Sequence, residues 1–436
     1  MRGASRQTAS KKVTNGWAMY DWANSVYNLV ITTTFFPAYY AYISSAQKFP
    51  DGIPLFGRHF VNTALKNYTF ATALLIVAIL SPILSSIADY KGNKKNFMRF
   101  FCYMGAISCS LMFFVDEKSV IFGLFCLMMA CVGFYGSQVF YNSYLPEIAA
   151  EEDMDRISAR GFSFGYIGSV IMQLIGFGFV LAMPDNPFAL KLTFLLVGFW
   201  WAGFAQITFK ALPMSSKSER KAKVNVLSNG FKELKLVWHK LQEMPVLKSY
   251  LGGYFFYSMG VQTVMLVAID FGIKILNLPD TNLIIVAVII QLVAIGGAIL
   301  MSRLTTRFGN VQVLLGAVFL WIIICISAYF MSTEFQFYIL AALVGLVMGG
   351  IQAVSRSTYS KFMPETKDTA SFFSFYDVTE KIALVIGLFA FGLIEDITNS
   401  MRNSILVLIL FFVIGAVFLV FTLSRIKKQK AHQNFV

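Results

Sequence analysis

Asp21, Asn24, Ser25, Asn28 and Thr32 lie within an otherwise apolar run from Trp17 to Pro37, the last four at offsets 3, 4, 7 and 11 from Asp21. On a helix of 3.6 residues per turn this spacing makes one polar stripe. Its residue types supply hydrogen bonds and one ionisable carboxylate. That chemistry suits holding a polar solute or a proton rather than breaking a covalent bond. Comparable stripes recur along the chain: Gln138, Tyr141 and Asn142; Tyr166, Ser169 and Gln173; Ser258 and Gln262; Gln352, Ser355, Arg356 and Tyr359. Asp377, Glu380 and Lys381 form another, with Asp377 and Lys381 spaced for an ion pair on one helix face. Asp270 and Lys274 share that spacing. Arg356 suits either a carboxylate-bearing solute or a gate.

The elements that carry these stripes must be membrane helices. Of 436 residues, 57% are hydrophobic and 16% aromatic, and only 14% are charged, against about a quarter in soluble domains. An aspartate at mid-span costs about 2.5–3.5 kcal/mol on insertion scales. The stripes must therefore face protein or water, either as walls of a solvated pathway or as ties between helices. A span needs about 20 apolar residues, and twelve such runs are legible, at about 17–37, 68–88, 97–115, 120–144, 158–183, 191–212, 246–275, 281–301, 311–331, 335–357, 371–395 and 404–423. The expected class is an all-α polytopic membrane protein. Residues 1–212 form one six-helix bundle, 213–245 a polar linker, and 246–436 a second bundle with a basic tail. Within the linker Val224–Leu241 is modestly amphipathic, either a helix on the membrane surface or a loop.

The net charge of +13 would suit nucleic acid, but the basic residues cluster in short loops, the pattern that sets topology. Lys11, Lys91, Lys94, Lys95, Arg156, Arg160, Arg220, Arg303, Arg307, Lys361, Arg425 and Lys428 fall on one side; Lys48, Arg58, Lys66, Lys118 and Lys191 fall on the other. The first side is the expected cytoplasmic one, with both termini on it, and a bacterial inner membrane is the expected location. Cys102, Cys109, Cys126, Cys131 and Cys325 lie in apolar runs and read as packing residues. His59, His239 and His432 fall in loops or the tail, so no metal or cofactor site is legible and none is expected. The expected partners are a small-molecule solute, the bilayer and H⁺ as a coupling ion, with no nucleic acid and a monomeric chain.

The halves echo one another. Ser85-x-x-x-Asp89-x-x-Gly92 follows span two and Ser302-x-x-x-Thr306-x-x-Gly309 follows span eight; Pro146-Glu147 and Pro364-Glu365 follow spans four and ten. The offsets are 217 and 218 residues. Six spans per half make the repeats parallel, related by an axis along the membrane normal, with a site at mid-membrane between them.

Asp89-x-x-Gly92-x-Lys94-Lys95 joins spans two and three. Its glycine permits a tight turn, and its carboxylate can latch onto a cation or a helix N-terminus. The motif resembles the Gly-x-x-x-Asp-Arg-x-Gly-Arg-Arg signature of the major facilitator superfamily, with Ser85, Tyr90 and Asn93 as departures. Thr306 replaces the aspartate in the second half, which puts a second latch in doubt. Tyr20-Asp-Trp-Ala-Asn-Ser-Val-Tyr27, Gly161-Phe-x-Phe-Gly165-Tyr166-x-Gly168, Gly349-Gly-Ile-Gln352-Ala-Val-Ser355-Arg356-Ser357 and Phe372-Phe-Ser-Phe-Tyr376-Asp377 resemble the vacuole-effluxer-like branch, which includes the autophagy-related amino-acid effluxers. Met259 stands where that branch tends to carry an acid. The resemblance implies the major facilitator fold and a secondary transporter of amino acids or similar small solutes.

The expected function is transport by alternating access, as an H⁺-coupled exporter, without enzymatic chemistry. Asp21, Asn24, Asn28, Gln138, Asn142, Gln262, Gln352 and Arg356 are the candidate solute-binding residues. Asp21, Asp89, Gly92, Asp377, Glu380 and Lys381 are the candidates for coupling and gating. Efflux of amphipathic or drug-like compounds, suggested by the 44 Phe and 19 Met, and a non-transporting sensor are the competing readings.

Overall fold

A computed structural model describes residues 7–184, 186–214 and 235–433. Among these, twelve long helical runs follow one another. The first, α1, is α-helical over Lys11–Val26, π-helical over Tyr27–Phe35 and α-helical again over Phe36–Ile43. Pro37, just past the π stretch, has no N–H to give a preceding carbonyl, and within the stretch the Thr33 hydroxyl donates to the Leu29 carbonyl at 2.9 Å. The others are α2 (Asn62–Lys91), α3 (Lys94–Leu111), α4 (Val120–Ser143), α5 (Met154–Ala182), α6 (Phe188–Ala211), α7 (Pro245–Leu276), α8 (Asp280–Phe308), α9 (Asn310–Phe330), α10 (Glu334–Phe362), α11 (Thr369–Thr398) and α12 (Met401–Gln433).

Ten of these are long and apolar enough to cross a membrane. The exceptions are α1, divided by its π turn, and α11, loaded with Asp377, Glu380, Lys381, Glu395 and Asp396. These two also carry candidate site residues. Exposed Leu75, Phe100, Phe199, Phe319, Phe389 and Leu410 turn outward as a lipid-facing surface.

Two hydrophobic cores divide the chain near its middle. One is built mainly from α1–α6 around Trp17, Tyr20, Tyr27 and Trp201. The other is built mainly from α7–α12 around Tyr250, Trp321, Tyr359 and Phe412. Between these groups α5 packs along α8 and α10, and α11 along α2 and α4. Small residues allow the closest approaches: a Cβ at Gly349 of α10 would collide with the Ala294 carbonyl of α8.

Several expectations change in detail. The loop after α1 contains a hairpin, with β1 (Ile53–Leu55) antiparallel to β2 (Arg58–Phe60). Left-handed Phe56 and Gly57 turn it. Helix α5 begins at Met154, inside the acidic-basic segment expected to be a loop, because Met154 and Ile157 bury against the first core. The basic tail continues α12 as helix. Residues 215–234, most of the expected linker and its amphipathic piece, lie outside the described residues. Residues 235–242 are helical and bury Val237 and Leu241 against the second core.

Candidate functional site

A cavity of about 150 Å³ lies between the two helix groups, lined by α1, α4, α5, α7, α10 and α11. Of the residues singled out in the sequence, Asp21, Ser25, Asn28, Gln138, Asn142, Tyr166, Ser258, Gln262, Gln352, Ser355, Arg356, Asp377, Glu380 and Lys381 all face it. Asn24 does not. It sits about 60° off the Asp21–Ser25–Asn28 line and is fully buried, with both amide atoms unpartnered. Thr32 also leaves the stripe, because the π turn resets the angle between residues on either side of it.

At one end of the cavity Asp21 of α1 meets Arg356 of α10. Arg356 Nη1 donates to Asp21 Oδ2 at 3.1 Å and to Asn142 Oδ1 at 3.2 Å. Its Nε and Nη2 donate to the Ser158 hydroxyl and carbonyl at 3.0 and 2.8 Å. The guanidinium lies over Trp17 and Phe162, 4.7 and 4.2 Å from the ring centroids. The Tyr141 hydroxyl donates to the same Asp21 oxygen at 2.8 Å. Both partners of the Asp21–Arg356 pair are thus buried and engaged, and the pair ties the two helix groups together. Gly161 makes room for it: a Cβ there would stand 2.6 Å from Asp21 Oδ2 and 2.9 Å from Arg356 Nη2.

The opposite wall belongs to α7 and α11. Lys381 donates to Asp377 Oδ1 at 2.8 Å, the spacing expected from the sequence, and its ammonium sits 4.2 Å over the Tyr135 ring. Gln262 donates to Glu380 Oε1. Gln352 accepts from the Tyr166 hydroxyl at 2.7 Å. The Tyr257 and Ser355 hydroxyls are 2.7 Å apart, and Tyr254 stacks on Tyr376 at 4.3 Å. The tyrosines Tyr135, Tyr254, Tyr257 and Tyr376 line the cavity but were not legible as site residues. The available signal was the 254, 257, 258, 262 spacing, one face of α7. Lys274 pairs with Glu395 of α11 at 2.9 Å, so the partner suggested by the Asp270 spacing is replaced by one on a neighbouring helix.

Asp89 and Gly92 lie away from the cavity, at the face that carries the Lys- and Arg-rich loops. Gly92 takes a left-handed conformation, φ 67°, and turns α2 into α3. Asp89 accepts from the backbone N–H groups of Ala370 and Ser371 at 3.2 and 2.8 Å and from the Ser371 hydroxyl at 2.8 Å. It thus caps the first turn of α11, where helix geometry favours an anion. Lys94 sits 3.0 Å from Asp89 and 2.5 Å from Glu147 and from the Thr369 hydroxyl.

A second buried cluster stands near the point where the sequence echo left one in doubt, with the carboxylate supplied from the other side. Asp155 at the start of α5 accepts from Thr305 Oγ1 of α8 at 2.7 Å, Asn310 Nδ2 of α9 at 2.7 Å and Lys361 Nζ of α10 at 2.6 Å. Thr306, the position matching Asp89 in the sequence echo, is exposed and bonds only its own helix at the Arg303 carbonyl. The Ser158 hydroxyl adds a bond to the Ala353 carbonyl at 2.7 Å. These contacts tie α5 to α8, α9 and α10 at the basic face.

Two helix groups with a polar, charge-bearing cavity between them and latches at one face define a membrane transport protein of the major facilitator superfamily. The chain belongs to the vacuole effluxer Atg22-like family, whose model matches residues 9–154 and 151–433. It is 33% identical to the MFS-type transporter YxiO of Bacillus subtilis (strain 168), over 97% of each chain. It is 24% identical to autophagy-related protein 22 of Yarrowia lipolytica, over 88% of this chain and 80% of that one. Among solved structures, the human organic anion transporter MFSD10 superposes with a TM-score of 0.73 at 10% identity, covering 94% of this chain and 99% of that one. The E. coli fucose:proton symporter FucP gives 0.69 at 15% identity, covering 94% and 97%. The relatives are transporters, not enzymes.

Proposed function

We propose that the protein moves a small polar solute, an amino acid or a molecule of similar size, by alternating access coupled to H⁺. The cavity between residues 1–212 and 246–436 carries this reading. Its volume of about 150 Å³ is below the roughly 300–1,000 Å³ of pockets that take drug-sized ligands, which disfavours amphipathic drug efflux. Asn28, Gln138, Asn142, Gln262 and Gln352 would give the solute neutral hydrogen bonds. Asp21, Asp377 and Glu380 are the carboxylates available to handle charge. Asp89, Gly92, Asp155 and the Asp21–Arg356 pair would hold the basic face shut, and their release would let the two bundles rock. The basic face is assigned to the cytoplasm on the distribution of Lys and Arg, and the chain is read as a monomer.

The test is uptake of a pooled mixture of amino acids and dipeptides by proteoliposomes, with and without an imposed pH gradient. Accumulation that a protonophore abolishes is expected. Equilibration indifferent to the gradient would leave a uniporter, and no flux of any member would refute the solute class. Asp21→Asn that keeps full transport and its pH response would remove Asp21 from the coupling set.

A further inference from the structure

Among the described residues, five charged side chains line the cavity: three carboxylates, Asp21, Asp377 and Glu380, and two cations, Arg356 and Lys381. Arg356 is consumed by Asp21 at 3.1 Å and Lys381 by Asp377 at 2.8 Å. Glu380 is left over. Its nearest cation is the already engaged Lys381, 3.9 Å away, and its one hydrogen bond comes from the neutral amide of Gln262. Its side chain is 23% exposed, against 6% for Asp377. A second observation points the same way. Asp377 Oδ2 is buried on this wall without any hydrogen-bond partner. A surplus carboxylate and an orphaned carboxylate oxygen three residues apart on one helix face are costly unless a positive charge joins them.

Resting on the transport reading above, we infer that the Asp377–Glu380 wall is a cation subsite, and that the loaded cavity takes in one net positive charge with each solute. The charge has two sources: the solute's own surplus ammonium, or a proton bound beside a zwitterion. Other groups facing Glu380 are neutral or spent: Lys381 and Tyr376 on its own helix, Tyr135 from α4, and Tyr254 and Tyr257 from α7. Helices α2 and α12 also pack on α11 but contribute no lining residue among those described. The Asp21–Arg356 pair, closed on itself across the cavity, adds no net charge.

The experiment uses the full chain in proteoliposomes with a potassium diffusion potential, interior negative, and radiolabelled lysine, leucine and glutamate as probes. One charge per solute predicts accumulation of about fiftyfold at about 100 mV. Lysine uptake that follows the potential and ignores a protonophore identifies the solute's ammonium as the charge. Leucine uptake that follows the potential and collapses with a protonophore identifies the proton. Either result supports the subsite if Glu380→Gln loses the potential response while retaining solute counterflow, which shows that it folds and binds. Glu380→Asp should keep the response, as should Glu395→Gln, which removes a carboxylate outside the cavity. Electroneutral transport by the wild type, potential-driven glutamate uptake, or a full response in Glu380→Gln would overturn the inference and leave the transport reading standing. Wild-type vesicles that move none of the probes and no pool member would overturn both.

Discussion

Arg356 shows how much a single residue carries in this protein. Its guanidinium uses its donors on Asp21, Asn142 and Ser158 and its faces on Trp17 and Phe162. The arrangement depends on the absence of a side chain at Gly161. Gly161→Ala would press a methyl between Asp21, Arg356 and the Tyr141 hydroxyl, none of which can withdraw without losing a buried bond. Overpacking of this kind costs about 1–3 kcal/mol. The expected outcome is a lowered unfolding midpoint in detergent. Gly178→Ala, where a Cβ meets nothing within 4 Å, should leave the midpoint unchanged or raise it. Equal midpoints for the two variants would contradict this account. At this scale the sequence was informative where polarity broke an apolar background. Asp21, Asn28 and Gln262 stood out for that reason. Tyr254, Tyr257 and Tyr376 did not, because tyrosine is common here and blends into an aromatic-rich helix. The Asp21–Arg356 partnership joins positions 335 residues apart, and no local period can announce it.

At the scale of elements, the pattern of apolar runs located the long helices, although α1, α8 and α12 extend well past their expected ends. It failed where helices exchange partners. Asp155 fell in a stretch that reads as a loop between spans, so its contacts with the second helix group were invisible, and Thr306 drew attention away from its neighbour Thr305. The two latches lie on different helix pairs, α2 with α11 and α5 with α8. They should bias one opening equilibrium independently. Each of Asp89→Asn and Asp155→Asn removes a charge-assisted set of hydrogen bonds worth about 1–3 kcal/mol. Their effects should add, since separated sites usually do. A cysteine at Gln138→Cys reports the change through labelling by a maleimide applied from the basic face. The five native cysteines are all buried and give little background. Labelling is expected to rise in each single variant and further in the double. Labelling that stays at the wild-type level in the double variant would show that these contacts do not hold the face shut.

At the scale of the whole molecule, charge placement and the internal echo were both legible without coordinates, because each is written along the chain. The contacts that join the two helix groups at the basic face were not, since they depend on how the groups meet. If the basic face is cytoplasmic, a cysteine at Lys428→Cys should react with an impermeant thiol reagent only when cells are opened. A cysteine at Lys48→Cys, in the loop after α1, should react in intact cells. The reverse pattern would invert the topology.

The two latches also differ in what they grip. On α11, Asp89 holds two backbone N–H groups, which every residue except proline provides, besides the Ser371 hydroxyl. Asp155 holds three side chains, Thr305, Asn310 and Lys361. Drift in sequence can hardly loosen the first clasp from the α11 side, whereas any of three single-codon changes can loosen the second. Mutational variation in the resting balance between the two open states should therefore accumulate along the α5–α8 seam, leaving the α2–α11 seam the less variable of the two.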